Sequence, residues 1–162
     1  MPSRSLSSQL IGLAAWLLAA FTAGAVGAVA SVDAASFYAQ LNKPPWAPPA
    51  SVFGPVWSVL YALMGIAAWL VWRSPGRNGV ALGLFGAQLA VNALWSWMFF
   101  AWHRGALATV EVVVLVALIV ATLVAFWRIS RFAALLLVPY LGWVSFASLL
   151  TWTLWRSNPG LL

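Results

Sequence analysis

The chain has 162 residues, of which 64% are apolar and only 6% charged, with a net charge of +6. That composition leaves too little polar surface to coat a water-soluble globule, so lipid must be the solvent for most of the chain. The basic residues stand singly between apolar runs instead of forming a patch that could track phosphates, which argues against nucleic acid as a partner; the absence of cysteine excludes disulfides, thiolate metal sites and cysteine nucleophiles.

Five apolar runs follow one another, over 9–30, 52–72, 80–101, 106–127 and 132–155. Each is long enough to cross roughly 30 Å of hydrocarbon at about 1.5 Å per residue, and isolated strands cannot do so, because their backbone groups would go unpaired in lipid. The expected fold is an all-α integral membrane bundle of five helices, one domain over 1–162, with the lipid bilayer as its first partner. Arg4 ahead of an apolar run, with Ala28-Val29-Ala30 behind it, has some likeness to a secretory signal. The run is longer than the roughly 7 to 15 residues of a signal core, however, so it is read as the first span. The breaks between the last four runs are short and carry turn chemistry, which predicts antiparallel neighbours. Arg4, Arg73, Arg77, Arg128 and Arg131 fall on the face of the N-terminus, against Lys43, Arg104 and Arg156 on the other. By the positive-inside rule the N-terminus is expected to be cytoplasmic.

Only the first connection, 31–51, is long. It contains Leu41-Asn42-Lys43-Pro44-Pro45-Trp46-Ala47-Pro48-Pro49, a stiff extended arm because proline fixes φ and lacks an N–H. Such an arm is either a spacer, with Trp46 resting in the headgroup belt, or a lid over the bundle. The second span offers Trp57, Tyr61, Met64 and Ala68 on one side. In the third, Gln88, Asn92, Trp95 and Phe99 stack on one face. Gly79, Gly83, Gly86 and Ala90 fall on the opposite face, since Gly86 and Gln88 differ by about 200° around the axis. Small residues at that spacing let membrane helices approach closely, so this face is a candidate homodimer contact, the alternative being packing within one bundle. An amide in hydrocarbon needs a partner, so Asn92 should point inward. In the fourth span Glu111 is expected to snorkel toward, or pair with, His103 and Arg104. The fifth supplies Tyr140, Trp143 and Ala147, with Pro139 freeing a carbonyl one turn earlier. Aromatic walls with one or two polar groups suit a flat apolar ligand, although such stripes also serve as plain packing. Trp69, Trp72, Trp102, Trp127, Trp152 and Trp155 lie near span ends and read as interface anchors. A lone histidine makes no metal site, and no Ser, His and acid set, paired carboxylates or phosphate loop can be drawn.

Asn42-Lys43-Pro44-Pro45-Trp46-Ala47-Pro48-Pro49, Val52-Phe53-Gly54-Pro55-Val56-Trp57 with Leu60-Tyr61, Gly86-Ala87-Gln88-Leu89-Ala90-Val91-Asn92 with Trp95, and Pro139-Tyr140-Leu141-Gly142-Trp143 with Phe146-Ala147 together resemble the translocator protein family, also called tryptophan-rich sensory proteins or peripheral-type benzodiazepine receptors. The resemblance implies a five-helix bundle, usually homodimeric, binding porphyrins, sterols or benzodiazepine-type ligands in a cavity capped by the first loop. It carries ligand contacts onto Trp57, Asn92, Trp95, Trp143 and Ala147, and places Pro45, Trp46 and Pro48 in the cap; Tyr38 and Lys43 are added to the cap as expectations. Some bacterial relatives are associated with light-dependent porphyrin breakdown, for which Trp57 and Trp143 match the implicated tryptophans. Departures exist: Leu150-Thr151-Trp152-Thr153-Leu154-Trp155-Arg156 lacks the tyrosine of the animal sterol-recognition stretch, and Phe37 stands where relatives often have tryptophan. Val32, Tyr38 and Lys43 fit only the loose sterol pattern.

The leading expectation is therefore a membrane receptor, sensor or transporter for porphyrins or heme-like tetrapyrroles, with no required cofactor. Its binding set is Trp57, Tyr61, Gln88, Asn92, Trp95, Phe99, Tyr140, Trp143 and Ala147, with Lys43 or Arg104 at the rim to meet a ligand carboxylate. The alternatives are a photochemical enzyme that degrades the porphyrin, or an assembly protein whose aromatic faces only pack.

Overall fold

The structure, a computed structural model, describes residues 5–76 and 78–162. Arg4 and Arg77, both counted in the charge asymmetry, lie outside the described residues. Five helical stretches are long and apolar enough to cross a membrane: Leu6–Ala30, Ala50–Arg73, Gly79–Ala101, Gly105–Trp127 and Arg131–Ser157. No strand occurs among the described residues, so the all-α membrane bundle expected from the apolar runs is the observed fold.

Helix α1 (Leu6–Ala30) starts at Ser5, whose hydroxyl accepts from the Ser8 N–H at 3.3 Å and so satisfies one of the donors left free at a helix start. Helix α2 (Ala34–Gln40) is a short helix inside the long connection, which then passes through the prolines to a 3₁₀ turn at Ala50–Val52 and helix α3 (Phe53–Arg73). The proline stretch is not extended throughout, because a turn closed by the Ala47 N–H to Pro44 O bond of 3.0 Å bends it at Pro45 and Trp46. Helix α4 (Gly79–Ser96) passes directly into a π turn, Trp97–Ala101, closed by the Trp102 N–H to Trp97 O bond of 2.8 Å. Helix α5 (Gly105–Trp127) follows, then α6 (Arg131–Leu136) and α7 (Val138–Ser157). The last apolar run is thus not one helix: it breaks at Leu137, and Pro139, which has no N–H to give to the preceding turn, sits in the first turn of α7.

The helices close a ring in the order α1, α3, α6/α7, α5, α4 and back to α1. The most extensive contact is α1 with α3, and α3 and α4 approach each other far less closely than the short turn between them predicts. Glycine explains the α1–α3 crossing: a Cβ on Gly65 would lie 2.9 Å from the Leu17 Cα, so only a bare backbone fits. Lipid tails are as apolar as leucine, so this packing is held by dispersion and buried polar bonds more than by exclusion of water. Two apolar clusters result. The larger, around Leu60, Met64, Phe85, Ile119, Phe126 and Tyr140, fills the half of the bundle nearer the N-terminal face. The smaller, around Phe37, Leu41, Phe99, Ala108, Leu150 and Leu154, lies toward the long connection. At the span ends, Arg73 lies 4.6 Å over the Trp69 ring, Arg131 5.7 Å over Trp127 and Arg156 5.9 Å over Trp155, pairs of cation and indole suited to the headgroup layer.

Candidate functional site: a cavity roofed by the first connection

A cavity of about 620 Å³ lies beneath the long connection. Its wall takes Trp57 and Tyr61 from α3, Asn92 and Trp95 from α4, Phe99 and Phe100 from the π turn, Val112 and Leu115 from α5, and Trp143 and Ala147 from α7. The three indoles come from three different spans, and each already rests on another aromatic ring: Trp57 stacks on Tyr61 (5.5 Å, 28°), Trp95 on Phe99 (5.2 Å, 10°), and Trp143 meets Phe53 edge-on (5.9 Å, 67°). Rings wedged in this way present a preset surface at little conformational cost. On one side, between α1 and α3, the wall is made by exposed residues, among them Phe21, Ala25, Ala28, Gly54 and Ser58.

Beneath the cavity lies a buried polar network. The Tyr61 hydroxyl donates to Asn92 Oδ1 at 2.7 Å, the Tyr140 hydroxyl donates to Gln88 Oε1 at 2.6 Å, and Gln88 Nε2 reaches the Met64 sulfur at 3.8 Å. Gln88 is 1% and Asn92 5% exposed, so each amide has lost its solvent and its oxygen is taken up by a phenol from a neighbouring span. Gln88 and Tyr140 do not line the cavity; they form this layer behind it. Among the described residues, the Trp95 indole nitrogen and the Glu111 carboxyl are also buried, without a hydrogen-bond partner. Glu111 pairs with neither His103 nor Arg104. It lies on the buried face of α5 at 8% exposure while both of those residues are exposed, and the His103 ring instead stacks on Phe37 at 4.1 Å.

The roof is α2. Tyr38 lines the cavity, together with Ala34, Ala35 and Ala50 from the same connection and Phe53 at the start of α3. Lys43, Pro45, Trp46 and Pro48 stand outside the wall and act on it indirectly. The Lys43 ammonium turns back over the end of α2, bonding the carbonyls of Tyr38 (2.8 Å), Leu41 (3.2 Å) and Ala39 (3.3 Å) and lying 5.1 Å from the Tyr38 ring centre. A cation at a helix C-terminus satisfies carbonyls that have no partner within the helix, so Lys43 serves the helix end and is not held out toward a ligand carboxylate. The Tyr38 hydroxyl donates to Pro48 O at 2.9 Å. Burial pushes the Tyr38 phenol above its ordinary pKa, so it stays a donor at any physiological pH. Trp46 packs edge-on against Phe146 at 5.9 Å.

Against known proteins, the TspO/MBR family model matches residues 10–156. The chain belongs to the TspO/MBR family. It is 41% identical over 128 residues to the human "Translocator protein", covering 76% of each chain. It is 40% identical over 159 residues to the "Tryptophan-rich protein TspO" of Chlorobaculum tepidum, covering 95% of this chain and all of that one. A "Tryptophan-rich sensory protein" of Cereibacter sphaeroides is 40% identical over 147 residues, 88% of this chain and 92% of the relative. The family resemblance seen in the proline arm and the tryptophan motifs is therefore real along most of the chain.

Of the residues expected at the site, Trp57, Tyr61, Asn92, Trp95, Phe99, Trp143 and Ala147 meet at one cavity, and Tyr38 alone among the cap residues reaches it. Gly79, Gly83, Gly86 and Ala90 are exposed, and a Cβ on any of the three glycines would meet nothing within 4 Å. The wall also includes residues that the sequence pattern does not mark, among them Phe21 and Gly24 of α1 and Val112 and Leu115 of α5. Their spans are so uniformly apolar that no periodic contrast marks an inward face. Among the described residues no group of three or more His, Cys, Asp or Glu could hold a metal.

Proposed function

We propose that this protein is a membrane receptor, acting as a sensor or transporter, for flat apolar ligands of the porphyrin class, bound within the bundle against Trp57, Trp95 and Trp143. The observation that carries this reading is the convergence of three indoles from three spans on a cavity of about 620 Å³, within the roughly 300 to 1,000 Å³ range of small-molecule sites. Stacking and burial against the indoles supply most of the affinity, while the amide network below fixes their spacing. Sterols and benzodiazepine-type ligands share the flat apolar character and are weaker candidates for the same wall. The N-terminus is cytoplasmic, following the excess of arginine on its face. The exposed face of Gly79, Gly83, Gly86 and Ala90 is the homodimer contact, since a glycine stripe in lipid lets two helices approach closely.

The test is a titration of the purified protein with protoporphyrin, followed by tryptophan quenching. Saturable quenching is expected, and the combined variant Trp57→Phe, Trp143→Phe and Asn92→Ala should weaken binding by roughly 100-fold, as loss of two indole contacts at about 0.5–1.5 kcal/mol each plus one buried polar contact implies. Unchanged affinity in that variant would reject the site.

A further inference from the structure

One side chain from the far end of the chain reaches back to the segment that follows the roof helix α2. Asn158, the residue that caps α7, accepts from the Asn42 N–H through Oδ1 at 2.7 Å and donates through Nδ2 to the Asn42 carbonyl at 3.1 Å. The same Nδ2 donates to Leu154 O at 2.8 Å. Both backbone groups of Asn42 are thereby paired as a neighbouring strand would pair them, across 116 residues of sequence. Asn158 is 7% exposed, so breaking these bonds strands amide groups away from solvent.

The position of this contact gives it leverage. Asn42 lies two residues beyond the end of α2, next to Leu41, which is 3% exposed and buried in the cluster with Leu150 and Leu154. From Lys43 to Pro49 four prolines among seven residues remove more than half the backbone donors, so no ladder holds this stretch, and prolines stiffen it. Its other polar fastening points are the Tyr38 to Pro48 bond, the Lys43 ammonium and the Ala47 N–H to Pro44 O turn, all internal to the connection, while Trp46 packs without a polar bond against Phe146 of α7. Among the polar contacts of this stretch, the Asn158 amide is the one that fastens it to a membrane span, and Leu154, the carbonyl it also holds, belongs to the cavity wall.

We infer that Asn158 is a positioning residue that ties the roof of the cavity shut and so sets how fast a bound ligand escapes. The inference concerning ligand escape rests on the receptor reading above; the tie itself does not. Asn158 lies beyond the 10–156 stretch matched by the family model. Releasing the tie leaves the indole wall intact, so the escape rate rises while the contacts that recognise the ligand remain.

The experiment uses the full chain in lipid nanodiscs, with Asn158→Ala, Asn158→Asp and, as a control, Thr153→Ala, a half-buried residue on the same helix outside the cavity wall. Asn158→Asp keeps an acceptor for the Asn42 N–H and loses both donations. Hydrogen exchange of peptides covering 36–50 is followed first without ligand, and protoporphyrin dissociation is followed second. Asn158→Ala should speed exchange of the Asn42 amide and its neighbours roughly tenfold or more, the scale set by losing two to three net hydrogen bonds, with exchange in α3, α4 and α5 unchanged. Protoporphyrin should leave several-fold faster, Asn158→Asp should fall between Ala and wild type, and Thr153→Ala should match wild type. Faster exchange throughout the bundle in both Asn158 variants would reduce the residue to a helix cap and overturn the tie. Unchanged dissociation from a loosened roof would overturn the control of escape. If the wild-type protein binds no protoporphyrin, the receptor reading fails, and exchange in 36–50 still decides whether the tie exists.

Discussion

The floor and the roof of the cavity are held by different kinds of bond. In the floor, side chains bond side chains across spans: Tyr61 of α3 to Asn92 of α4, and Tyr140 of α7 to Gln88 of α4. In the roof, side chains bond backbone: Lys43 to the end of α2, Tyr38 to Pro48, and Asn158 to Asn42. A buried network between spans is costly to leave half satisfied, so the floor fixes the spacing of the indoles and with it what can bind. Backbone fastenings at a surface connection break singly and at modest cost, so the roof is suited to opening without unfolding the bundle. The two regions should therefore fail differently, the floor in stability and affinity together and the roof in rates.

The largest effect should come from Gln88→Ala, which leaves the Tyr140 hydroxyl unpaired and a void at a fully buried position; a loss of roughly 2–4 kcal/mol is expected in detergent-titration unfolding, with weakened protoporphyrin binding. Tyr61→Phe should cost about 1–3 kcal/mol, because the Asn92 oxygen loses its donor while the ring remains to stack on Trp57. Gly24→Ala tests the same region from α1: its Cβ would stand 2.6 Å from the Tyr61 ring, which stacking and the Asn92 bond keep from yielding, so about 1–3 kcal/mol of overpacking is expected in the same assay. Lys43→Met should barely change unfolding, by about 1 kcal/mol or less, yet speed hydrogen exchange across α2, where three carbonyls lose their cation. Smallest of all on binding should be Gly83→Leu, on the face of α4 turned away from the cavity; it should leave protoporphyrin affinity within about twofold, while a cysteine placed at Gly83 in this cysteine-free chain forms an inter-chain disulfide if the dimer contact is there. Equal losses of affinity from Gly83→Leu and Tyr61→Phe would erase the distinction between the two faces.

How much of this was legible in sequence depended on where contrast survives. The spans were readable because lipid imposes a length of about 20 apolar residues. Trp57, Asn92 and Trp143 were readable because polar or indole positions recur at helical spacing in spans with small residues between them. Helix α2 was not, since seven residues without charge or a strong cap carry almost no periodic signal. The break at Leu137 was hidden within a continuous apolar run, although Pro139 marked its place. Glycine spacing drew attention to α4, whereas the tightest approach is at isolated Gly65 against Leu17, which no spacing rule isolates. Nearness in sequence points Glu111 toward His103 and Arg104, whereas the helix face it occupies carries it away from both. Asn158 was beyond reach because its partner is 116 residues away.

The most direct measurement of the central claim lets the ligand report its own neighbours. Protoporphyrin bound at one equivalent and illuminated in air generates singlet oxygen, which oxidises the nearest indoles, and mass spectrometry of the peptides then locates them among the 12 tryptophans. Oxidation concentrated at Trp57, Trp95 and Trp143 is the predicted result. Oxidation concentrated at the span-end residues Trp69, Trp127 and Trp155, with those three spared, would contradict the account.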